Sequence, residues 1–174
     1  KVNTLHWHLS YHEAFRMALS DDPQLSTIGA TSGYGQPLIN MRIVDRNLDT
    51  ATSKTNSQFI NVATIYQGSY SASDIRQLIN YANARQITII PEIDIPGHSR
   101  AMMKAMPDSF YDPQDKSLYG GYGDDTLPVC SYNQNTPLGT NFTRDITAII
   151  KQVSDLFNQQ TTLYQVAHEV SIGG

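Results

Sequence analysis

The stretch Ile87-Thr88-Ile89-Ile90-Pro91-Glu92-Ile93-Asp94-Ile95 constrains the fold more than any other part of the chain. Its β-branched residues run almost without interruption, the pattern of a strand covered on both faces of a parallel sheet. Directly before it Ile75, Leu78, Ile79 and Ala82 recur at helical spacing, with Ser71 as N-cap and Asp74 three residues on, which predicts an amphipathic helix from Ser71 to Gln86.

The same alternation continues on both sides. Val2 to Leu9 sets Leu5, Trp7 and Leu9 against His6 and His8, a strand pattern. Ile146, Ile149, Ile150, Val153, Leu156 and Phe157 form a second helical stripe, with Thr143 as the expected N-cap and Asn158 as its end, and Leu163 to Ile172 reads as a closing strand. Strand, helix, strand, helix, strand predicts a parallel sheet with right-handed crossovers, in which Leu5, Ile89 and Ile93 are expected to be buried.

The connections are lopsided. Helix leads to strand with few residues between, whereas strand to helix takes about 60 residues after Leu9 and more than 40 after Ile95, against a usual median of about 4 to 6. Long loops at the carboxyl ends of parallel strands are where α/β folds place their sites, so the binding face is expected from Ser10 to Tyr70 and Pro96 to Asn141. Three strands are too few for a closed barrel of about 250 residues. Residues 1–174 are therefore expected to be a fragment of a single barrel domain, its open edges covered by the remainder of the barrel or by another chain.

Of 174 residues, 40% are apolar and 16% charged, as in ordinary globular domains, and the net charge of -4 argues against a nucleic-acid partner. No run approaches the roughly 20 apolar residues of a membrane-spanning helix, so no membrane partner is expected. The single Cys130 excludes an internal disulfide and a multi-cysteine metal site, and it is expected to be small and partly buried.

Two groups of residues could carry chemistry. A strand period of two sends His6 and His8 to one side, where they could hold a metal with His12, His98, His168 or Glu169. The plainer alternative, preferred here, is that both imidazoles fill the interior with satisfied nitrogens, because two nitrogens without a third protein ligand make a poor zinc site. In the second group Glu92 and Asp94 share one side of their strand, and the Pro96-Gly97 turn presents His98 on the loop face, where a carboxylate and an imidazole can share a proton. Glu92 and Asp94 could instead cap neighbouring loops, but ionisable residues at a strand's carboxyl end favour function.

The order and spacing of Val2-Asn3-Thr4-Leu5-His6-Trp7-His8-Leu9, Arg16, Leu25-Ser26-Thr27-Ile28-Gly29-Ala30, Tyr81-Ala82-Asn83-Ala84-Arg85 and Pro91-Glu92-Ile93-Asp94-Ile95-Pro96-Gly97-His98-Ser99 resemble family 20 β-N-acetylhexosaminidases. Asp112-Pro113-Gln114-Asp115-Lys116-Ser117 is similar to the bacterial chitobiase branch. The resemblance implies strands two to four of a (β/α)8 TIM barrel and a parent that removes terminal N-acetylhexosamine residues. Its partner would be an oligosaccharide ending in N-acetylglucosamine or N-acetylgalactosamine, with no cofactor and no metal, at a periplasmic or secreted location. It also implies His98 as support for the general acid, and His8, Glu92, Asp94 and Arg16 as substrate-binding residues.

The family's fourth strand ends in His-x-Gly-Gly-Asp-Glu, and Ser171-Ile172-Gly173-Gly174 matches the first four positions, so the catalytic Asp and Glu are expected next and the chain alone is expected to be inactive. A competing match sets Ala167-His168-Glu169-Val170 on the motif with Glu169 as the acid, at the cost of a missing residue and a His where Asp belongs. The mechanism implied is substrate-assisted, the 2-acetamido group of the sugar supplying the nucleophile. Two departures stand out. Tyr11 and His12 replace the paired Asp residues of the family's first-strand motif, one of which backs the imidazole matching His98, leaving Glu13 or Asp94 as the expected replacement; Ser171 replaces the motif's His. These departures suit a carbohydrate-binding pseudoenzyme as the alternative, with a metal-dependent hydrolase using His6 and His8 as a third.

Overall fold

A computed structural model of the chain describes residues 3–33, 65–114, 126–129, 135–158 and 170–173. In chain order the elements are β1 (Thr4–His8), α1 (Pro23–Thr27), β2 (Thr31–Gly33), β3 (Ile65–Gln67), α2 (Ala72–Asn83), β4 (Thr88–Asp94), α3 (Arg100–Ala105), α4 (Pro107–Phe110), α5 (Pro137–Phe157) and β5 (Ser171–Gly173). β1, β4 and β5 form one parallel sheet in the order β1-β4-β5, and β2 pairs antiparallel with β3. The β-branched run is thus the central strand. Its register runs from Thr4 opposite Thr88 to His8 opposite Glu92 on one side, and from Glu92 opposite Ser171 to Asp94 opposite Gly173 on the other.

α2 starts where its capping residues place it. The Ser71 hydroxyl accepts the Asp74 N–H at 3.1 Å while the Asp74 carboxylate accepts the Ser71 N–H at 2.8 Å, satisfying two donors that the helix itself cannot. Those hydrogen bonds from Ser71 hold the exposed Asp74 carboxyl below its ordinary range. Ile75, Ile79 and Ala82 form the buried face that packs on β4 and α5.

α5 departs from its expected start. The helix begins at Pro137, capped by Thr136, whose hydroxyl accepts the Gly139 N–H at 3.1 Å. Pro137 suits a first helical position because its missing N–H would have no partner there. Thr143, the expected cap, lies inside the helix and donates its hydroxyl to the Gly139 carbonyl at 3.0 Å.

The core gathers under β4. Ile89 and Ile93 are buried beside Phe15, Met17, Leu25, Met102, Phe110, Ile149 and Val153. Full burial of a side chain such as Ile93 stabilises by about 1.5 to 3 kcal/mol. Leu5 is a correction: it is 48% exposed, and Ile172 is 56% exposed. Both lie on the outer strands, where no further strand covers them among the described residues. The loops after β1 and β4 contain short elements rather than plain coil. Lys104 on α3 ties two of these together by donating to the Ile28 and Thr31 carbonyls at 2.8 Å each, and burial lowers its pKa. No helix among the described residues is long and apolar enough to cross a membrane. Cys130, His168 and the expected strand residues from Leu163 to Glu169 lie outside the described residues.

Candidate active site

Polar side chains converge at the carboxyl ends of β1 and β4. Parallel pairing sets His8 beside Glu92, and the two-residue period puts His6 on the same side. Oε2 of Glu92 stands 3.1 Å from Nε2 of His6 and 3.3 Å from Nδ1 of His8. One carboxylate therefore serves both imidazoles, so Glu92 does not simply cap a loop. The expectation that His6 and His8 have no third protein ligand nearby is corrected by the same geometry. Ligand atoms of His8, Glu92 and Asp94 lie within 4.8 Å of one another, and these are the described residues that could hold a cation.

Asp94 is the buried member of the group, 5% exposed. Its backbone N–H donates to the Ser10 hydroxyl at 2.8 Å, and the Ser99 hydroxyl reaches its carbonyl at 3.0 Å, so both flanking loops are pinned to the end of β4. Its Oδ1, by contrast, has no hydrogen-bond partner among the described residues. A buried carboxylate oxygen without a donor costs free energy unless something supplies one.

Gly173 closes the other side of this group. A Cβ built there would lie 2.4 Å from Glu92 Oε1 and 2.9 Å from Asp94 Oδ1, so a side chain at this position would have to displace both carboxylates. Gly29 has a similar role in the first loop, where a Cβ would meet the Leu25 carbonyl oxygen at 2.4 Å.

The turn after β4 brings His98 back over the loop that follows β1. Nδ1 of His98 lies 2.8 Å from Nε2 of His12, and the His98 ring stacks on Tyr11 with centroids 4.8 Å apart and planes 20° apart. Tyr11 also meets the His8 ring at a centroid distance of 5.3 Å. His8 and His98 thus share one end of the sheet. The group facing His98 Nδ1 is an imidazole, and it belongs to His12, one of the two residues that replace the family's Asp pair. The signal available in the sequence was the place of His12 in the motif, where the family has one of its paired Asp residues.

Arg16 is placed differently. Its Nη1 donates to the carbonyls of Gly68 at 2.6 Å and Ala30 at 3.3 Å, tying the β2–β3 pair to the first loop. Glu169 lies outside the described residues.

Residues 1–174 match the family model described as glycosyl hydrolase family 20, catalytic domain. The chain belongs to this family. The β-hexosaminidase of Vibrio furnissii is 36% identical over 159 residues, which are 90% of this chain and 22% of that protein. The N,N'-diacetylchitobiase of Vibrio harveyi is 30% identical over 106 residues, 61% of this chain and 11% of that protein. Among solved structures, the family 20 exo-β-N-acetylglucosaminidase of Vibrio harveyi in complex with N-acetylglucosamine superposes with a TM-score of 0.67 at 29% identity, covering 90% of this chain and 21% of that one. The family 20 chain spans about a fifth or less of the length of these relatives. Its α/β architecture with a parallel sheet agrees with their TIM-barrel type of catalytic domain.

Proposed function

We propose that the chain forms strands two to four of a (β/α)8 barrel in a β-N-acetylhexosaminidase, and that it supplies one wall of the pocket for a terminal N-acetylglucosamine or N-acetylgalactosamine. The observation that carries this reading is the unsatisfied Oδ1 of Asp94, buried beside Glu92 and His8 at the carboxyl end of the sheet. A sugar hydroxyl is a donor of the right kind. His8, Glu92 and Asp94 are the substrate-facing groups, and the cluster serves a sugar instead of an ion. Arg16 reaches substrate only indirectly, by holding the β2–β3 pair.

The exposed Leu5 and Ile172 support the barrel assignment, since flanking strands would cover both. Hydrolysis follows the substrate-assisted route, in which the acetamido oxygen attacks the anomeric carbon while a carboxylic acid protonates the leaving oxygen. The acid and the carboxylate that orients the acetamido group are not among the described residues, and the 174 residues alone should not turn over substrate. General acid catalysis typically contributes about 10²- to 10⁴-fold, so its loss is decisive.

The test is a pair of chromogenic β-glycosides assayed with the gene product that contains this chain. The N-acetylglucosaminide should be cleaved, and the matching glucoside without the acetamido group should be inert within detection. Equal rates on both would remove the substrate-assisted mechanism, and no cleavage of either would remove the enzyme assignment.

A further inference from the structure

We infer that His12 is the positioning residue for His98, holding it through an imidazole–imidazole hydrogen bond where the resemblance implies a carboxylate. The contact itself comes from the geometry alone; only the role of His98 in supporting an acid rests on the function proposed above. Three observations carry the inference. Nδ1 of His98 and Nε2 of His12 are 2.8 Å apart, a normal hydrogen-bond length. The two rings meet edge to face at a centroid distance of 4.7 Å, and Tyr11 stacks on the His98 ring at 4.8 Å, so His98 is held in plane as well as along the bond. The backbone of His98 has φ of 51°, a left-handed conformation that a non-glycine residue adopts at some cost and that is concentrated at functional sites.

The chemistry of such a pair differs from that of a carboxylate–imidazole pair. A carboxylate only accepts, so it fixes the imidazole tautomer outright. Two neutral imidazoles hold one proton between the facing nitrogens, one ring donating and the other accepting. When both rings are protonated both facing nitrogens are donors, and the bond is lost. The Tyr11 ring contacts both imidazoles, and beyond it lies His8, which is engaged by Glu92. His12 can therefore orient His98 while either facing nitrogen is unprotonated. A chain with Asp at this position would keep the contact with a protonated His98.

Nitrogen NMR on the ¹⁵N-labelled 174-residue chain tests this without requiring turnover. At pH 8 a through-hydrogen-bond ¹⁵N–¹⁵N coupling between His98 Nδ1 and His12 Nε2 is expected. His12→Phe keeps the ring volume but should abolish the coupling and shift the His98 ring nitrogens toward a mixture of tautomers; His12→Gln provides the same readout if the Phe variant does not fold. His12→Asp should keep His98 in one tautomer and preserve its orientation at pH 8. Absence of the coupling at pH 8, or unchanged His98 nitrogen shifts in His12→Phe or His12→Gln, would overturn the inference. In the active gene product, His12→Phe should lower kcat by about 10²-fold with little change in KM, as misplacement of a supporting group does, and His12→Asp should restore it. A gene product that cleaves no hexosaminide while the coupling persists would reject the proposed function and still uphold the contact.

Discussion

Gly173 sits against Asp94 so closely that a single added methyl carbon would lie 2.9 Å from the carboxylate oxygen Oδ1, and 2.4 Å from Oε1 of the neighbouring Glu92. Gly173→Ala must therefore push both carboxylates aside. Overpacking of this kind costs about 1 to 3 kcal/mol, and it should also break the contacts of Glu92 with His6 and His8. Urea denaturation gives the first quantity and imidazole chemical shifts report the second; an alanine variant as stable as the parent with unchanged His6 and His8 signals would contradict the β4–β5 register.

The two threonines at the start of α5 give a sharper comparison. Thr136→Ala removes the side-chain acceptor for the Gly139 N–H and should cost about 1 kcal/mol, whereas Thr143→Ala, within the helix, should cost less. Denaturation midpoints of the two variants decide which residue is the cap. The sequence pattern pointed to Thr143 because the apolar stripe starts at Ile146, and the first turns, Pro137-Leu138-Gly139-Thr140, carry no periodic apolar signal. The start of α2 was legible to the residue because Ser71 and Asp74 form a reciprocal cap whose spacing is visible in the sequence, whereas the helix ends at Asn83, short of the expected Gln86.

Burial of the strands was legible for β4 but not for β1. Ile89 and Ile93 are buried on a central strand, while Leu5, also apolar within a strand pattern, lies on an edge, and edge position is a property of the whole sheet rather than of the local sequence. Ile93→Ala should cost about 2 to 5 kcal/mol, the range for deleting a buried aliphatic side chain. Leu5→Ala should change stability by no more than about 0.5 kcal/mol in this chain, as for other surface positions. Thermal or urea unfolding of the two variants side by side is the check.

Acid stability should depend on Asp145. Burial raises its pKa, but hydrogen bonds from Arg144 at 2.7 and 2.9 Å, a hydrogen bond from Ser109 and the Arg144 charge together outweigh it, leaving the carboxyl below its ordinary range. A depressed folded-state value means the stabilisation is fully present above the unfolded value of about 3.9 and is lost as pH falls through the folded value. Asp145→Asn should therefore flatten stability versus pH in this acidic window, and Ser109→Ala should lower stability by about 1 to 2 kcal/mol at neutral pH. Stability profiles that coincide for Asp145→Asn and the parent between pH 2 and 5 would show that the pair does not contribute.

The site was legible as residue types and not as contacts. His8, Glu92, Asp94 and His98 declared themselves by lying at strand ends before long loops, yet the link from Glu92 to both imidazoles and the pairing of His98 with His12 depend on how two loops fold over β1 and β4. Arg16 was placed among the substrate-binding residues by its position in the motif, and the carbonyls it engages are contributed by segments 14 and 52 residues away.

The most direct measurement is hydrolysis of a chromogenic N-acetylglucosaminide by the gene product carrying either Asp94→Asn or Glu169→Gln. With Asp94 in the sugar pocket and the general acid elsewhere, Asp94→Asn should lower kcat/KM by about 10²-fold or more, since an unmet polar contact in the transition state is worth a few kcal/mol, and Glu169→Gln should stay within about threefold of the parent. Activity unaffected by Asp94→Asn would contradict the pocket assignment, and activity abolished by Glu169→Gln would make Glu169 the general acid.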